Sequence, residues 1–363
     1  MPDYDSQIKE LEDRIAGTKY NKKTQHAIGQ YKAQIAKLKE KQDMRSGGGG
    51  GEGYSVRKTG DGTVALLGFP SVGKSTLLNG ITNAKSEVGA YAFTTLKPIP
   101  GLLEYKHAKI QVLDMPGIVR GAASGRGRGK EVLACLRNAD LVLILLDVHH
   151  PEHLPVILKE VRDANVRLNE HRPDVKIVRK AKDGINIGTT VSLKKIDRET
   201  IEIILRTFRV NNADITIRED INDDQLIDLL EDNKKYVPSI LILNKIDTIP
   251  KEKLDRLIKD LKPDLCISAQ KKDHLDELKD VIFDHLNLIR VYLKEPGKEA
   301  DMNIPLIMFR DCTVEDVCNK LHRDFSKKFK FSRIWGKSAK FDGQKLMLHH
   351  QLADSDVVEL HMR

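Results

Sequence analysis

An α/β fold built on a parallel-type sheet is what this 363-residue sequence predicts, and three observations predict it. From Asp61 onward, short apolar runs alternate with helical stretches, the rhythm of βαβ units. The strand candidates, residues 63–67, 109–113, 141–148, 239–243 and 265–268, each end in a motif or a turn. That is the pattern expected where a ligand sits at the carboxyl ends of parallel strands. The first candidate runs directly into Gly68-Phe69-Pro70-Ser71-Val72-Gly73-Lys74-Ser75, and a helical stretch opens at Thr76.

Taken in order, residues 1–45 read as a helical hairpin. Ile8, Leu11 and Ile15, then Ile28, Tyr31, Ile35 and Leu38, fall at helical spacing, with a turn at 17–21 between the two sets. From Lys19 to Arg45 there are eight Lys/Arg against two Asp/Glu. This basic face suits either packing on the main domain or contact with RNA. Residues 46–60 contain five consecutive glycines, Gly47 to Gly51, and read as a flexible linker. The α/β domain spans 61–289. Its rhythm is broken over 172–236, where 175–178, 189–193 and 215–218 look like strands and 198–208 and 224–231 like helices. This is a small α+β insertion. Residues 290–363 form a separate small α+β domain, with strands at 291–293 and 357–361 and a helix capped by Thr313 running to Lys320.

Composition narrows the function classes. With 40% apolar and 31% charged residues the chain is globular, and no apolar run approaches the ~20 residues of a membrane-spanning helix. The start, Met1-Pro2-Asp3-Tyr4-Asp5, lacks the apolar core of a secretion signal. Cys135, Cys266, Cys312 and Cys318 are scattered without a C-x-x-C pair, which fits reduced thiols. A cytoplasmic protein with no membrane partner is expected. The net charge of +8 invites a polyanion. Its densest stretch, Lys320 to Lys345, has nine Lys/Arg against two Asp/Glu, interleaved with Phe325, Phe329, Phe331, Trp335 and Phe341. Cations with stacking faces are what RNA binding asks for, although aromatic side chains equally build the core of a small domain.

The motifs carry the chemistry. In Gly68 to Ser75 the glycines let backbone N–H groups approach phosphates, and the following helix adds its positive end. Lys74 reaches the β- and γ-phosphates and the Ser75 hydroxyl ligates Mg²⁺. Asp114-Met115-Pro116-Gly117 ends the second strand, where Asp114 can hold Mg²⁺ through water and the Gly117 N–H can sense the γ-phosphate. Asn244-Lys245-Ile246-Asp247 chooses the base, because the Asp247 carboxylate accepts from N1–H and the exocyclic amine of guanine. Adenine offers no such donor pair, so it would leave the carboxylate unpaired. In Ser268-Ala269 a backbone N–H is placed for guanine O6. GTP and GDP with Mg²⁺ are therefore the expected ligands. A metabolic P-loop kinase is disfavoured by Asn244 and Asp247.

This order of motifs resembles that of translation-factor-like GTPases. Within them Gly68 to Thr76, Tyr91-Ala92-Phe93-Thr94-Thr95 and Asp114 to Gly129 resemble the Obg group, and the whole chain is similar to the developmentally regulated GTP-binding protein (DRG) family. The resemblance implies an insertion like ribosomal S5 domain 2 and a tail like a TGS domain. It implies action at the ribosome and ribosomal RNA, no DNA partner, and room for a regulatory protein of the family. Carried over by position, Thr95 is the switch I threonine on Mg²⁺, with Thr94 as the alternative. Ile118 to Lys130 is switch II, with Gly121, Gly125, Gly127 and Gly129 as hinges. Ile118 stands where a water-positioning glutamine would, which implies slow intrinsic hydrolysis. The catalytic set is then Lys74 and Thr95, helped by a cation such as K⁺, a rearranged switch or a partner; Ser71, where K⁺ users often carry asparagine, leaves K⁺ open. The competing function is a GTP-dependent scaffold in which hydrolysis is secondary.

Overall fold

The computed structural model describes residues 4–19, 21, 24–46, 60–82, 99–115 and 136–362. The glycine run at 47–51, Tyr91 to Thr95, Gly117 and the segment from Ile118 to Lys130 lie outside the described residues. The chain divides into two compact units, Tyr54–Glu160 with Val237–Arg363, and Met1–Gly53 with Val161–Tyr236.

The first unit opens with β1 (Gly62–Leu67), β2 (Ile99–Tyr105), β3 (Ala108–Asp114) and β4 (Leu141–Asp147). The chain then builds the second unit with β5 (Val166–Leu168), β6 (Val175–Arg179), β7 (Ile185–Thr189), β8 (Ala213–Ile217) and β9 (Lys235–Val237). It returns for β10 (Ser239–Asn244) and β11 (Leu265–Cys266). The large sheet has the order β11-β10-β4-β1-β3-β2. All neighbours in it are parallel except β2, which is antiparallel to β3.

That antiparallel edge strand is a departure from the sequence reading. Pro100 and Gly101 obscure it, yet an edge strand tolerates proline because one side of its backbone needs no ladder partner. Its turn onto β3 is Lys106-His107, both at positive φ (48° and 67°), a conformation normally signalled by Asn-Gly. β1 and β4 are buried at every position, so they read as unbroken apolar runs. One face of the sheet packs Leu66, Leu143 and Ile242 against Leu77, Leu78, Leu275 and Leu278 of two helices, Lys74–Ile81 and Leu275–His285. The other face sets Leu146 and Leu243 against Leu254 and Leu257 of the helix Lys251–Leu261. Each fully buried leucine of this kind contributes about 1.5–3 kcal/mol. The last strand stops at Cys266 because Ser268 turns away to bridge Asp273.

The tail belongs to the same unit. Its strands β12 (Leu288–Lys294), β13 (Leu306–Phe309), β14 (Phe329–Trp335), β15 (Gln344–Leu346) and β16 (Asp356–Met362) form a sheet of order β13-β12-β16-β14-β15. Thr313 caps the helix Val314–Leu321 in a capping box with Asp316. The aromatic side chains divide: Phe329 is in the core, Phe331 stacks on His361, and Phe341 is 66% exposed. Lys327, Lys328, Lys330, Arg333, Lys337, Lys340 and Lys345 are all exposed.

In the second unit β8 lies between β6 and β7, antiparallel to the first and parallel to the second. The strand expected at 189–193 is β7, four residues earlier; Asn186 and Gly188 hid it, while Ile185 and Ile187 pair along β8. Of the hairpin helices, α2 (Gln25–Ser46) packs on the insertion and α1 (Tyr4–Gly17) packs on α2. Ala33 enters the core formed by Ile201, Ile204, Leu205 and Leu226. The Lys32 ammonium reaches Asp223 at 2.9 Å and Asp224 at 3.1 Å. Among the described residues, no helix is long and apolar enough to cross a membrane.

Candidate nucleotide-binding site

The carboxyl ends of β1, β3 and β10 bring the predicted residues together. Gly68 leaves β1 so close to β4 that a Cβ there would lie 2.6 Å from the Leu145 carbonyl oxygen. Gly73, at φ 98°, would place a Cβ 2.5 Å from Asn244 Nδ2. Ser71 is also at positive φ (64°), with Val72 between them, so the backbone alternates in handedness and forms a concave, anion-binding turn. Gly73 then caps the helix Lys74–Ile81. Pro70, Ser75 and Thr76 are exposed, and the Phe69 ring stacks on His153 with centroids 3.8 Å apart.

Lys74 spans the loop, its Nζ donating to the carbonyls of Gly68 (3.0 Å) and Phe69 (3.1 Å). Burial pushes its ammonium below the ordinary lysine value, with the Asp114 carboxylate opposing that shift. Among the described residues no carboxylate neutralises it in an ion pair, so its charge stays available to an anion. Asp114, 4% exposed, accepts the Ser75 hydroxyl at Oδ2 (3.3 Å). Its Oδ1 is buried with no hydrogen-bond partner among the described residues. A hydroxyl and an unpartnered carboxylate oxygen are hard donors, and they fit Mg²⁺.

Asn244, 2% exposed, ties two loops together. Its Nδ2 donates to the Val72 carbonyl (2.7 Å) and its Oδ1 accepts the Ala269 N–H (3.0 Å). Of the two amides of Ser268-Ala269 expected near guanine O6, that of Ala269 is thus engaged by Asn244 and that of Ser268 donates to the Asp273 carbonyl (3.3 Å). Lys245, at φ 67°, donates to Asp147 Oδ2 at 2.7 Å. Burial raises the Asp147 carboxyl, but Lys245 and the His149 amide outweigh it and leave it below the usual carboxylate range. Asp247 is half-buried. The Ser268 hydroxyl above all, with Lys271 Nζ at 3.8 Å, holds it below its ordinary value, so it is an ionised acceptor. Thr95 and Gly117 lie outside the described residues.

Two supporting residues escaped the sequence reading. Asp147 anchors Lys245, and His149 Nε2 lies 2.7 Å from the Thr248 hydroxyl. Asp147 ends β4 as Asp114 ends β3, so the strand-end criterion would have found it.

The family model described as 50S ribosome-binding GTPase matches residues 63–180, that of the C-terminal region of the same domain matches 182–288, and the TGS domain matches 289–362. A GTP-binding protein of Methanocaldococcus jannaschii is 51% identical over 98% of this chain and 92% of its own. Developmentally-regulated GTP-binding protein 1 of Xenopus laevis is 42% identical over 98% of each chain. Ribosome-interacting GTPase 1 of Saccharomyces cerevisiae is 42% identical over 97% of each. A P-loop GTPase domain that binds guanine nucleotide, followed by a TGS domain, over full-length identity of this order has one reading: the chain belongs to the developmentally regulated GTP-binding protein family and is a GTPase.

Proposed function

We propose that this chain is a Mg²⁺-dependent GTP switch that turns over slowly by itself and acts at the ribosome during translation. The observation that carries the switch is the bridge through Asn244, which ties the base loop to the phosphate loop, together with the buried Oδ1 of Asp114, which has no hydrogen-bond partner among the described residues. Mg²⁺, when bound, supplies charge neutralisation at the phosphates. Ser75 and Asp114 hold it, joined by Thr95 of switch I. The turn of Gly68 to Thr76 cradles the phosphates, and Lys74 releases its loop carbonyls to pair with the γ-phosphate. Asp247 reads guanine, supported by Lys245, Ser268 and Ala269, and the Gly117 amide senses the γ-phosphate. Ile118 has no polar atom to orient water, so intrinsic hydrolysis is slow. K⁺ or a ribosomal group supplies the missing help.

Ribosome action is supported by the description of the matched family model, by the printed name of the yeast relative and by the exposed cations of the tail. The experiment is GTP turnover in K⁺ and in Na⁺, each with and without ribosomes. Acceleration by ribosomes is the expected result. No acceleration under any of the four conditions would turn the reading toward a scaffold whose GTP-bound form merely recruits.

Base reading has its own test. Asp247→Asn should weaken GTP by roughly two orders of magnitude and improve xanthosine triphosphate, since the loss of a charge-assisted pair is worth about 1.5–3 kcal/mol. Unchanged GTP affinity would remove Asp247 from the base pocket. At the tail, Lys327, Lys328 and Lys330 each contribute a log–log salt slope of roughly 0.7–0.9 if they meet phosphates. Replacing all three with Gln should flatten the slope of ribosome co-sedimentation and leave GTP affinity alone.

A further inference from the structure

Between β4 and the helix His153–Asp163 the chain runs through His149-His150-Pro151-Glu152-His153. His150, Glu152 and His153 each present a ligand atom, all within 4.8 Å of one another. His150 Nδ1 is 3.0 Å from Glu152 Oε1, and the rings of His150 and His153 stack 5.1 Å apart. The Nδ1 of His153 is buried and has no hydrogen-bond partner among the described residues. We propose that these three side chains form a binding site for a divalent transition-metal ion of the zinc class, placed to act on the phosphate loop.

The donor chemistry selects the ion. Two imidazole nitrogens and a carboxylate are a borderline set that Zn²⁺ takes tetrahedrally with water in the fourth position. Ligand bonds of about 2.0–2.2 Å put neighbouring donor atoms roughly 3.3–3.5 Å apart. The His150–Glu152 spacing is close to that already, and both side chains are exposed and free to rotate onto an ion. The oxygen donors at Asp114 suit Mg²⁺ instead, so the two sites differ in hardness. The positive end of the helix His153–Asp163 opposes a cation modestly, and the Glu152 carboxylate offsets it. The simpler account, an exposed pair between His150 and Glu152, is worth little and leaves the buried His153 nitrogen unexplained.

The site is wired to the nucleotide loops. The His153 ring lies flat on Phe69, at an interplanar angle of 5°, and the Phe69 carbonyl accepts from Lys74. The end of β4 just before the histidine loop holds Lys245 through Asp147, and the loop itself meets Thr248 through His149. An ion that fixes His153 therefore biases the loop that cradles phosphate, and by linkage nucleotide biases metal affinity by the same factor.

The test uses the full chain, stripped of nucleotide and metal. Zn²⁺ is titrated by calorimetry, and Co²⁺ serves as a spectroscopic probe of four-coordination. One strong equivalent is expected, weakened by more than about a hundredfold in His150→Ala, in Glu152→Gln and in His153→Phe, the last of which keeps a ring on Phe69, because losing even a residue that only supports a metal ligand costs roughly 10–100-fold. No strong equivalent in the parent, or parent-like binding by the variants, overturns the site. GTP affinity at fixed Mg²⁺ is then compared with and without Zn²⁺, an arm that rests on the phosphate-loop assignment above; an unchanged value overturns the coupling. A chain that binds Zn²⁺ tightly but fails to bind GTP at all would strike the phosphate-loop assignment and not the metal site.

Discussion

In the unit built from the hairpin and the insertion, the buried Arg167 and Asp228 meet each other; in the nucleotide-binding sheet, the buried Asp114 has a carboxylate oxygen with no hydrogen-bond partner among the described residues. Arg167 and Asp228 are each 7% exposed and join through two bonds, Nε to Oδ2 at 2.5 Å and Nη2 to Oδ1 at 2.7 Å. Lys234 beside them pairs with Glu231 at 2.6 Å. Asp114 is as deeply buried, yet its Oδ1 lacks a partner among the described residues. A buried group left unsatisfied costs about 1–3 kcal/mol, so a fold keeps one where a ligand relieves it. Pairing is the ordinary state of a buried charge, so Oδ1 of Asp114, at a strand end and without a partner among the described residues, is a candidate ligand position.

The sharpest way to break this comparison is to unpair the architectural side. Arg167→Met leaves the buried Asp228 with only Lys234 Nζ, 3.9 Å away, to offset its charge, an expected loss of about 3 kcal/mol in denaturant unfolding, with GTP affinity unchanged. Adding Asp228→Leu should recover most of that loss, because Lys234 keeps Glu231. A single variant as stable as the parent would show that this pair is not what holds the unit.

The opposite sign is expected at the site. Asp114→Asn removes a buried charge that has only one hydroxyl donor, at 3.3 Å. The nucleotide-free protein should gain roughly 1–2 kcal/mol while Mg²⁺-dependent hydrolysis collapses. A destabilised variant would mean that Asp114 is structural, and the contrast with Arg167 would fail.

The sequence made the first half of this contrast hard to see and the second half easy. Gly68, Lys74, Asp114, Asn244 and Asp247 could be picked out as candidates because phosphate, metal and base would each demand particular atoms at a strand end. That Asn244 bridges Val72 and Ala269 was not legible, because the motif names the residue and only the fold supplies its partners. The Arg167–Asp228 pair joins positions 61 apart and leaves no periodic trace. β2 was missed where proline, glycine and a Lys-His turn spoke against a strand that the sheet edge permits. β7 was displaced by its polar and glycine positions, although β6 and β8 fell close to their expected places.

The smallest expected effect tests an intermediate case, a charge pair only partly buried. In the tail, Asp354 accepts from Arg290 Nη2 (2.7 Å), Nε (3.1 Å) and the backbone N–H (2.8 Å). Arg290 chiefly holds the Asp354 carboxyl down to about 2, against the opposing effect of burial. A carboxylate depressed by folding contributes its full stability above its unfolded pKa of about 3.9, and loses it as pH falls toward 2. Asp354 is 37% exposed, so solvent screening reduces the contribution to about 1 kcal/mol. The sole tryptophan, Trp335, lies in the same domain and reports its unfolding by fluorescence. Asp354→Asn should cost about 1 kcal/mol at pH 7, and parent and variant should converge in stability between pH 4 and 2. A gap that persists below pH 2 would assign the bond's value to geometry that the amide cannot reproduce rather than to the charge. No gap at pH 7 would place this pair with the many surface contacts that contribute nothing measurable.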